Sequence, residues 1–264
     1  MELIMNNLNV IWFILLCVLF AGFFFLEGFD YGTGILLPVI GKTDVERRQM
    51  INALGPIWDG NEVWMITAGG ALFASFPHVY ATLFSGFYMA LFLMLAVLIM
   101  RGVAFEFRSK SANRTWRKVF DYCIFIGSIV PALLWGVTVG NLIQGTPIDE
   151  TMTYVGTFWD LLSPYTVLCG VAFVLVFTYH GGLFTSIKTA GPISERARAA
   201  SLVTGVPTAI GVIALIIASY VCTDLYSSIL ATIFCALAVV CFLISWVAAR
   251  TRNTKWGFVF SSLS

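Results

Sequence analysis

The chain has 264 residues, of which 59% are hydrophobic and 11% charged, and its net charge is +1. That balance excludes an ordinary soluble domain and fits an integral membrane protein. It gives no footing for a nucleic-acid partner, because the basic residues are distributed in the way that membrane topology requires.

Bilayer hydrocarbon about 30 Å thick is crossed by roughly 20 helical residues. Uncharged stretches of that scale occur at residues 10–26, 63–100, 122–148, 161–187, 199–223 and 225–249. The first opens without a basic segment and is full length, so it reads as a span and not as a signal peptide. The second is about twice the length of one span and holds Pro77-His78 near its middle. That pair predicts two helices joined by a tight reversal. The fold class is therefore an all-α, polytopic helical bundle with seven full spans. A further apolar segment, "WGFVFSSLS" from Trp256, reads as the start of an eighth. Residues 1–264 form a single transmembrane domain, without a linker or convincing internal repeat.

All 15 Lys and Arg residues follow odd-numbered spans. Lys42, Arg47 and Arg48 follow the first; Arg101, Arg108, Lys110, Arg114, Arg117 and Lys118 follow the third. Lys188, Arg196 and Arg198 follow the fifth, and Arg250, Arg252 and Lys255 the seventh. Because basic residues accumulate in cytoplasmic loops, a multi-pass protein with its N-terminus outside is expected. Trp12 and Trp159 then lie near the outer boundary, and Trp116, Trp246 and Trp256 near the inner one, as in an interfacial aromatic belt. The six cysteines fall in apolar stretches without CxxC spacing and read as packing residues. Gly69-Gly70, with Ala68, Ala71 and Ala74, suggests close packing of the second span against another helix.

Carboxylates near lipid are costly and often mark proton paths. At a rise of about 1.5 Å per residue, Glu27 and Asp30 lie roughly 27–32 Å from the outer edge, near the cytoplasmic boundary. The same counting puts Asp59 at a similar depth and Arg101 slightly beyond. Within "GPIWDGNEVW", Asp59 and Glu62 are three residues apart, as are Glu27 and Asp30, so each pair shares a helix face. Three roles fit these residues: a capping box in which Glu62 reaches back to Asp59, an ion pair with Arg101, or proton handling. His78 and His180 fall about a membrane thickness apart and cannot jointly clamp a haem, which leaves for each only the role of a lone proximal ligand. Motifs for phosphate binding, nucleophilic catalysis and metal binding are absent from the sequence, so no metal site or independent redox centre is expected.

The stretch "EGFDYGTGILLPVIGKTDVERRQMINALGPIWDGNEVWMITAGGALFASFP" resembles the N-terminal hallmark of subunit II of cytochrome bd-type quinol oxidases. The likeness continues through "FSGFYMALFLMLAVLIMRGVAFEFRSK", "TWRKVFDYCIFIGSIVPALLWGVTVGNLIQG" and "KWGFVFSSLS" and is weakest at about residues 154–249. Its specificity comes from WDGNxVW following GFDxG.

The resemblance implies a respiratory complex of the bacterial or archaeal cytoplasmic membrane. Such a complex oxidises ubiquinol or menaquinol and reduces O2 to water, with protons drawn from the cytoplasm. Two b-type haems, one d-type haem and the quinol-oxidising loop belong to the larger subunit I, the expected partner; a small third subunit is left open. Subunit II is implied to be haem-free, with two four-helix bundles, a peripheral helix and no catalytic centre of its own. The resemblance also implies a proton path toward haem d through the aspartates of GFDxG and WDGN, here Asp30 and Asp59. Glu27 and Glu62 rank below them, because some relatives carry Asp and Gln at those positions. Arg101 would order the acidic cluster or support the subunit contact, with Asn61 and Trp58 as further supporting residues. No motif transfers a quinone site. Relatives continue beyond "FVFSSLS" for about one and a half spans, so C-terminal truncation relative to the family is expected. Two other readings compete: a proton-coupled secondary transporter, and a purely structural scaffold subunit.

Overall fold

A computed structural model describes residues 7–264, which form ten α-helices. They are α1 (Leu8–Ile40), α2 (Asp44–Leu54), α3 (Trp58–Ser75), α4 (Pro77–Gly86), α5 (Tyr88–Phe107), α6 (Arg114–Gln144), α7 (Pro164–Lys188), α8 (Pro192–Cys222), α9 (Ile229–Arg250) and α10 (Thr254–Ser261). Helices satisfy their backbone groups internally, as a lipid environment demands. Six of them, α1 and α5 to α9, are long and apolar enough to cross a membrane. The remaining expected span, α3, has 18 residues but opens on Asp59, Asn61 and Glu62, which makes it the more polar helix.

Helix ends depart from the charge-free windows for a physical reason. The first window stops at residue 26, whereas α1 continues through Glu27, Asp30 and Pro38 to Ile40. Those carboxylates face protein and not lipid, so they do not end the helix. Asn113 caps α6 by accepting from the Thr115 backbone N–H at 2.8 Å, so this helix starts eight residues before the apolar window at 122. Gly145, with φ +89°, then ends it. The expected tight reversal at Pro77 is instead the ten-residue α4, with Pro77 at its start, where proline's missing N–H is tolerated. Helix α2 was not anticipated, although Thr43-x-x-Glu46 forms a full capping box at its N-terminus.

Two four-helix groups result. Helices α1, α3, α5 and α6 form one, and α7 to α10 the other, with α1 and α6 packing against α7. The groups meet most closely where α1 crosses α7. A Cβ on Gly32 would lie 1.7 Å from the Phe177 carbonyl oxygen, and one on Gly181 would lie 2.4 Å from the Gly32 carbonyl carbon. Only glycine permits that approach, which brings Thr33 Oγ1 to 3.0 Å from Thr185 Oγ1 and stacks Phe29 on Phe184 at 4.2 Å. Outward faces are apolar: Val203, Ile210 and Ile217 on α8 and Phe234 on α9 are exposed.

Two packing expectations are corrected. A Cβ on Gly69 or Gly70 would meet no atom within 4 Å, because α3 meets α1 through Trp64, whose ring lies against Gly22, and leaves its glycines facing cavities. Of the cysteines only Cys169 is buried, while Cys17 and Cys222 are exposed.

Candidate functional site

The acidic residues gather because three helices of the first group present polar side chains at one level. On α1, Glu27 and Asp30 are three residues apart and both fully buried. Helix α3 adds Asn61 and Glu62 from its first turns, and α5 adds Arg101. Arg101 reaches the cluster because Gly127 lets α5 lie against α6; a Cβ there would sit 2.5 Å from Arg101 Cβ.

Arg101 Nη1 lies 3.5 Å from Glu27 Oε2 and 3.3 Å from Glu62 Oε1. Both distances exceed the roughly 2.7–2.9 Å of a tight charge-assisted hydrogen bond, so the guanidinium is shared between the two carboxyl groups. Its carbon lies 4.9 Å from the Tyr31 ring centroid and 5.2 Å from that of Phe105, and Trp58 packs on Phe105 at 5.2 Å. Asn61 Nδ2 donates to Asp30 Oδ2 at 2.7 Å. Several buried polar atoms remain without a partner among the described residues: Glu27 Oε1, Asp30 Oδ1, the Tyr31 hydroxyl, and Arg101 Nε and Nη2.

Of the sequence-derived residues, Glu27, Asp30, Asn61, Glu62 and Arg101 therefore come together, and Trp58 supports them through Phe105. Asp59 stands apart. It is exposed on the first turn of α3 and lines, with Glu62, a cavity of about 1030 Å³ between α3 and α5. The capping-box reading is overturned: Ile57 is the N-cap of α3 without a side-chain cap bond, and Glu62 turns to Arg101 instead.

A second charged network, unrecognised in the sequence, occupies the same end of the first group. Asp121 on α6 is buried and accepts from Arg108 Nε at 2.5 Å and from Arg47 Nη1 at 2.8 Å. Asp44 accepts from Arg108 Nη2 at 2.9 Å and Arg117 Nη1 at 2.6 Å. The signal was available, because Asp121 is the acid that bounds the apolar window at 122. Arg196 of α8 ties the two groups together by donating to the Ile40 carbonyl at 2.7 Å and to Glu46. Desolvation acts upward on Glu46, but hydrogen bonds from Arg196 and from the Thr43 and Lys42 backbone N–H groups hold its carboxyl below the usual range.

His78 is exposed at the start of α4. His180 is buried on α7, with Nδ1 2.7 Å from Ser261 Oγ and its ring stacked on Phe258 at 4.6 Å.

Residues 8–264 match a family described as cytochrome bd terminal oxidase subunit II. The chain is 40% identical over 257 residues to the cytochrome bd ubiquinol oxidase subunit 2 of Bacillus subtilis, covering 96% of this chain and 76% of the relative. It is 49% identical over 207 residues to the probable cytochrome oxidase subunit 2 of Haemophilus influenzae, covering 77% of this chain and 55% of that one. The cytochrome bd-I ubiquinol oxidase subunit 2 of Escherichia coli is 47% identical over 205 residues, which cover 76% of this chain and 54% of that one. The chain thus spans about half the length of the latter two relatives. Its fold is similar to a chain of the bd oxidase from Geobacillus thermodenitrificans, with a TM-score of 0.78 at 16% identity over 97% of this chain and 81% of the other.

Proposed function

The chain belongs to the cytochrome bd terminal oxidase subunit II family, and from that premise we propose that it acts in a respiratory quinol:oxygen oxidoreductase as the partner of a haem-bearing subunit I. In this reading the complex sits in the bacterial cytoplasmic membrane, oxidises quinol and reduces O2 to water. Subunit I carries two b-type haems and one d-type haem. The N-terminus faces outside, and the acidic end of the first helix group faces the cytoplasm.

In this reading haem stays with subunit I. His180 stacks on Phe258 with Nδ1 against Ser261, and His78 is exposed on another helix, so the two do not converge on one site. The chain's own contribution is then to take up and pass protons. The observation that carries this reading is a graded series of carboxyl groups leading inward from the surface. Asp59 is exposed and acts electrostatically on Glu62, which is partly buried. Glu62 shares Arg101 with the fully buried Glu27. Asp30, one helical turn from Glu27, is oriented by Asn61. Two carboxyl groups on one cation, with Asp30 a helical turn away, can exchange a proton while the guanidinium keeps a partner. Buried polar atoms without protein partners are satisfied by ordered water in most proteins, and those of Glu27, Asp30 and Tyr31 provide such positions.

The test is Asp59→Asn in the assembled complex, read by quinol-driven O2 consumption together with haem content. Reduced turnover at normal haem content is expected. Normal turnover at normal haem content sinks the proton role, and loss of haem assigns Asp59 to the scaffold. The transporter reading lacks support from the helices. Those containing Pro38, Pro131 and Pro207 run on unbroken, whereas such transporters build their sites from interrupted helices.

A further inference from the structure

A cavity of about 640 Å³ opens where α5 ends and α6 begins. Lys42, Arg47, Arg108, Arg114, Arg117 and Lys118 line it against only Asp44 and Asp121. Six positive groups and two negative ones leave a surplus of four. The two carboxylates are already committed to Arg47, Arg108 and Arg117. Lys42, Arg114 and Lys118 are exposed, and no ion pair engages them among the described residues.

Accumulation of exposed basic residues on one side of a membrane protein is the ordinary topological signal and by itself implies no ligand. Arg108 is different. Its side chain is 1% exposed, and although Nε and Nη2 are paired, Nη1 has no acceptor among the described residues. A buried guanidinium donor left unmatched is costly, and here it belongs to a residue that lines a cavity with excess positive charge. We infer that this cavity is a binding site for a phosphate group. Arginine forks and lysine ammonium groups recognise phosphate through charge-assisted hydrogen bonds. Its place at the junction of two membrane-length helices, α5 and α6, favours a phospholipid headgroup over a soluble anion. Trp116, partly exposed beside the cavity, donates from Nε1 to the Phe107 carbonyl at 3.0 Å, a position suited to the membrane–water interface. Basic pockets between helices at that level hold anionic headgroups.

Arg108 itself is a poor probe, since its replacement also breaks its ion pairs with Asp44 and Asp121. The informative variant is Lys42→Gln/Arg114→Gln/Lys118→Gln, which removes three exposed cations that make no ion pair. In the first arm, the complex extracted from its membrane is placed in phosphatidylcholine nanodiscs containing phosphatidylglycerol, and retained lipid is identified by native mass spectrometry. The wild type retains phosphatidylglycerol preferentially, and the triple variant loses about fivefold of that preference for each charge removed. In the second arm, inorganic phosphate is titrated into the detergent-solubilised complex and thermal melting is followed. Phosphatidylglycerol retention that depends on the three cations assigns the site to lipid. Phosphate-dependent melting that needs those cations, without lipid preference, assigns it to soluble phosphate. A triple variant equal to wild type in both arms, or a wild type that responds in neither, overturns the site.

Discussion

Arg101 on α5 and Glu27 on α1 meet at 3.5 Å with side-chain exposures of 1% and 0%. Removing one partner from such a pair leaves an uncompensated buried charge and costs about 3–5 kcal/mol. Arg101→Ala should therefore lower the melting temperature of the solubilised complex sharply. Arg101→Lys should rescue only part of the loss, because an ammonium cannot lie flat between Tyr31 and Phe105 while reaching both Glu27 and Glu62. Full recovery by lysine would mean that charge alone matters at this position.

The glycines at helix crossings give a second expectation. A Cβ at Gly127 would meet Arg101 Cβ at 2.5 Å and the Val97 carbonyl oxygen at 2.8 Å, so Gly127→Ala must push α5 away from α6. Overpacking of this kind costs about 1–3 kcal/mol, and here it also displaces Arg101 from its carboxylates. Gly32→Ala should be worse, since its Cβ would fall 1.7 Å from backbone that cannot rotate away. Thermal melting should rank wild type above Gly127→Ala and Gly127→Ala above Gly32→Ala. Equal melting of the two variants would contradict the rigidity assigned to the α1–α7 crossing.

The acidic cluster was legible in the sequence because carboxylates in apolar runs stand out, and counting helical rise put Glu27, Asp30, Asp59 and Arg101 in one layer. Helix rotation was not legible in that way. It decides that Asn61 and Glu62 turn inward while Asp59 turns outward, and it replaces the capping box expected of "DGNE" by the contact of Glu62 with Arg101. The Arg108–Asp121 pair escaped for a related reason. Basic residues following a span read first as topology, and only the packing of α5 on α6 buries one of them against an acid. Gly69-Gly70 misled because a small-residue pair signals close packing only when a helix lies opposite; here a cavity does.

Glu46 predicts a pH response at the basic end of the molecule. Hydrogen bonds in the folded state hold its carboxyl below the usual range, so the ionised form is the stabilising one. Its contribution is complete above the unfolded-state value and is lost as pH falls through the lower folded-state value. Acidification across that window should release the capping box of α2 and the tie to Arg196. Amide hydrogen exchange should then rise at Lys42 and Thr43, whose backbone N–H groups donate to Glu46 Oε2, before the membrane helices respond. In Glu46→Gln the exchange should already be raised near neutral pH and should lack this acid-dependent step. A step of unchanged size in the variant would assign it to another group.

Asp59 and Glu62 separate surface chemistry from scaffold. Asp59 is exposed and unpaired among the described residues, and substitutions at such positions change stability by no more than about 0.5 kcal/mol. Glu62 accepts from Arg101 at 3.3 Å in a largely buried setting. Loss of a hydrogen bond to a charged group there costs about 1.5 kcal/mol, moderated because Arg101 keeps Glu27. Asp59→Asn should thus melt like wild type, while Glu62→Gln should melt lower, even though each substitution removes one carboxylate three residues from the other. If both carry protons, both should slow quinol-driven O2 consumption at full haem content, so turnover would fall in step while stability diverges. Equal destabilisation of the two variants would show that the outward placement of Asp59 is lost in the assembled complex, where a partner surface covers it.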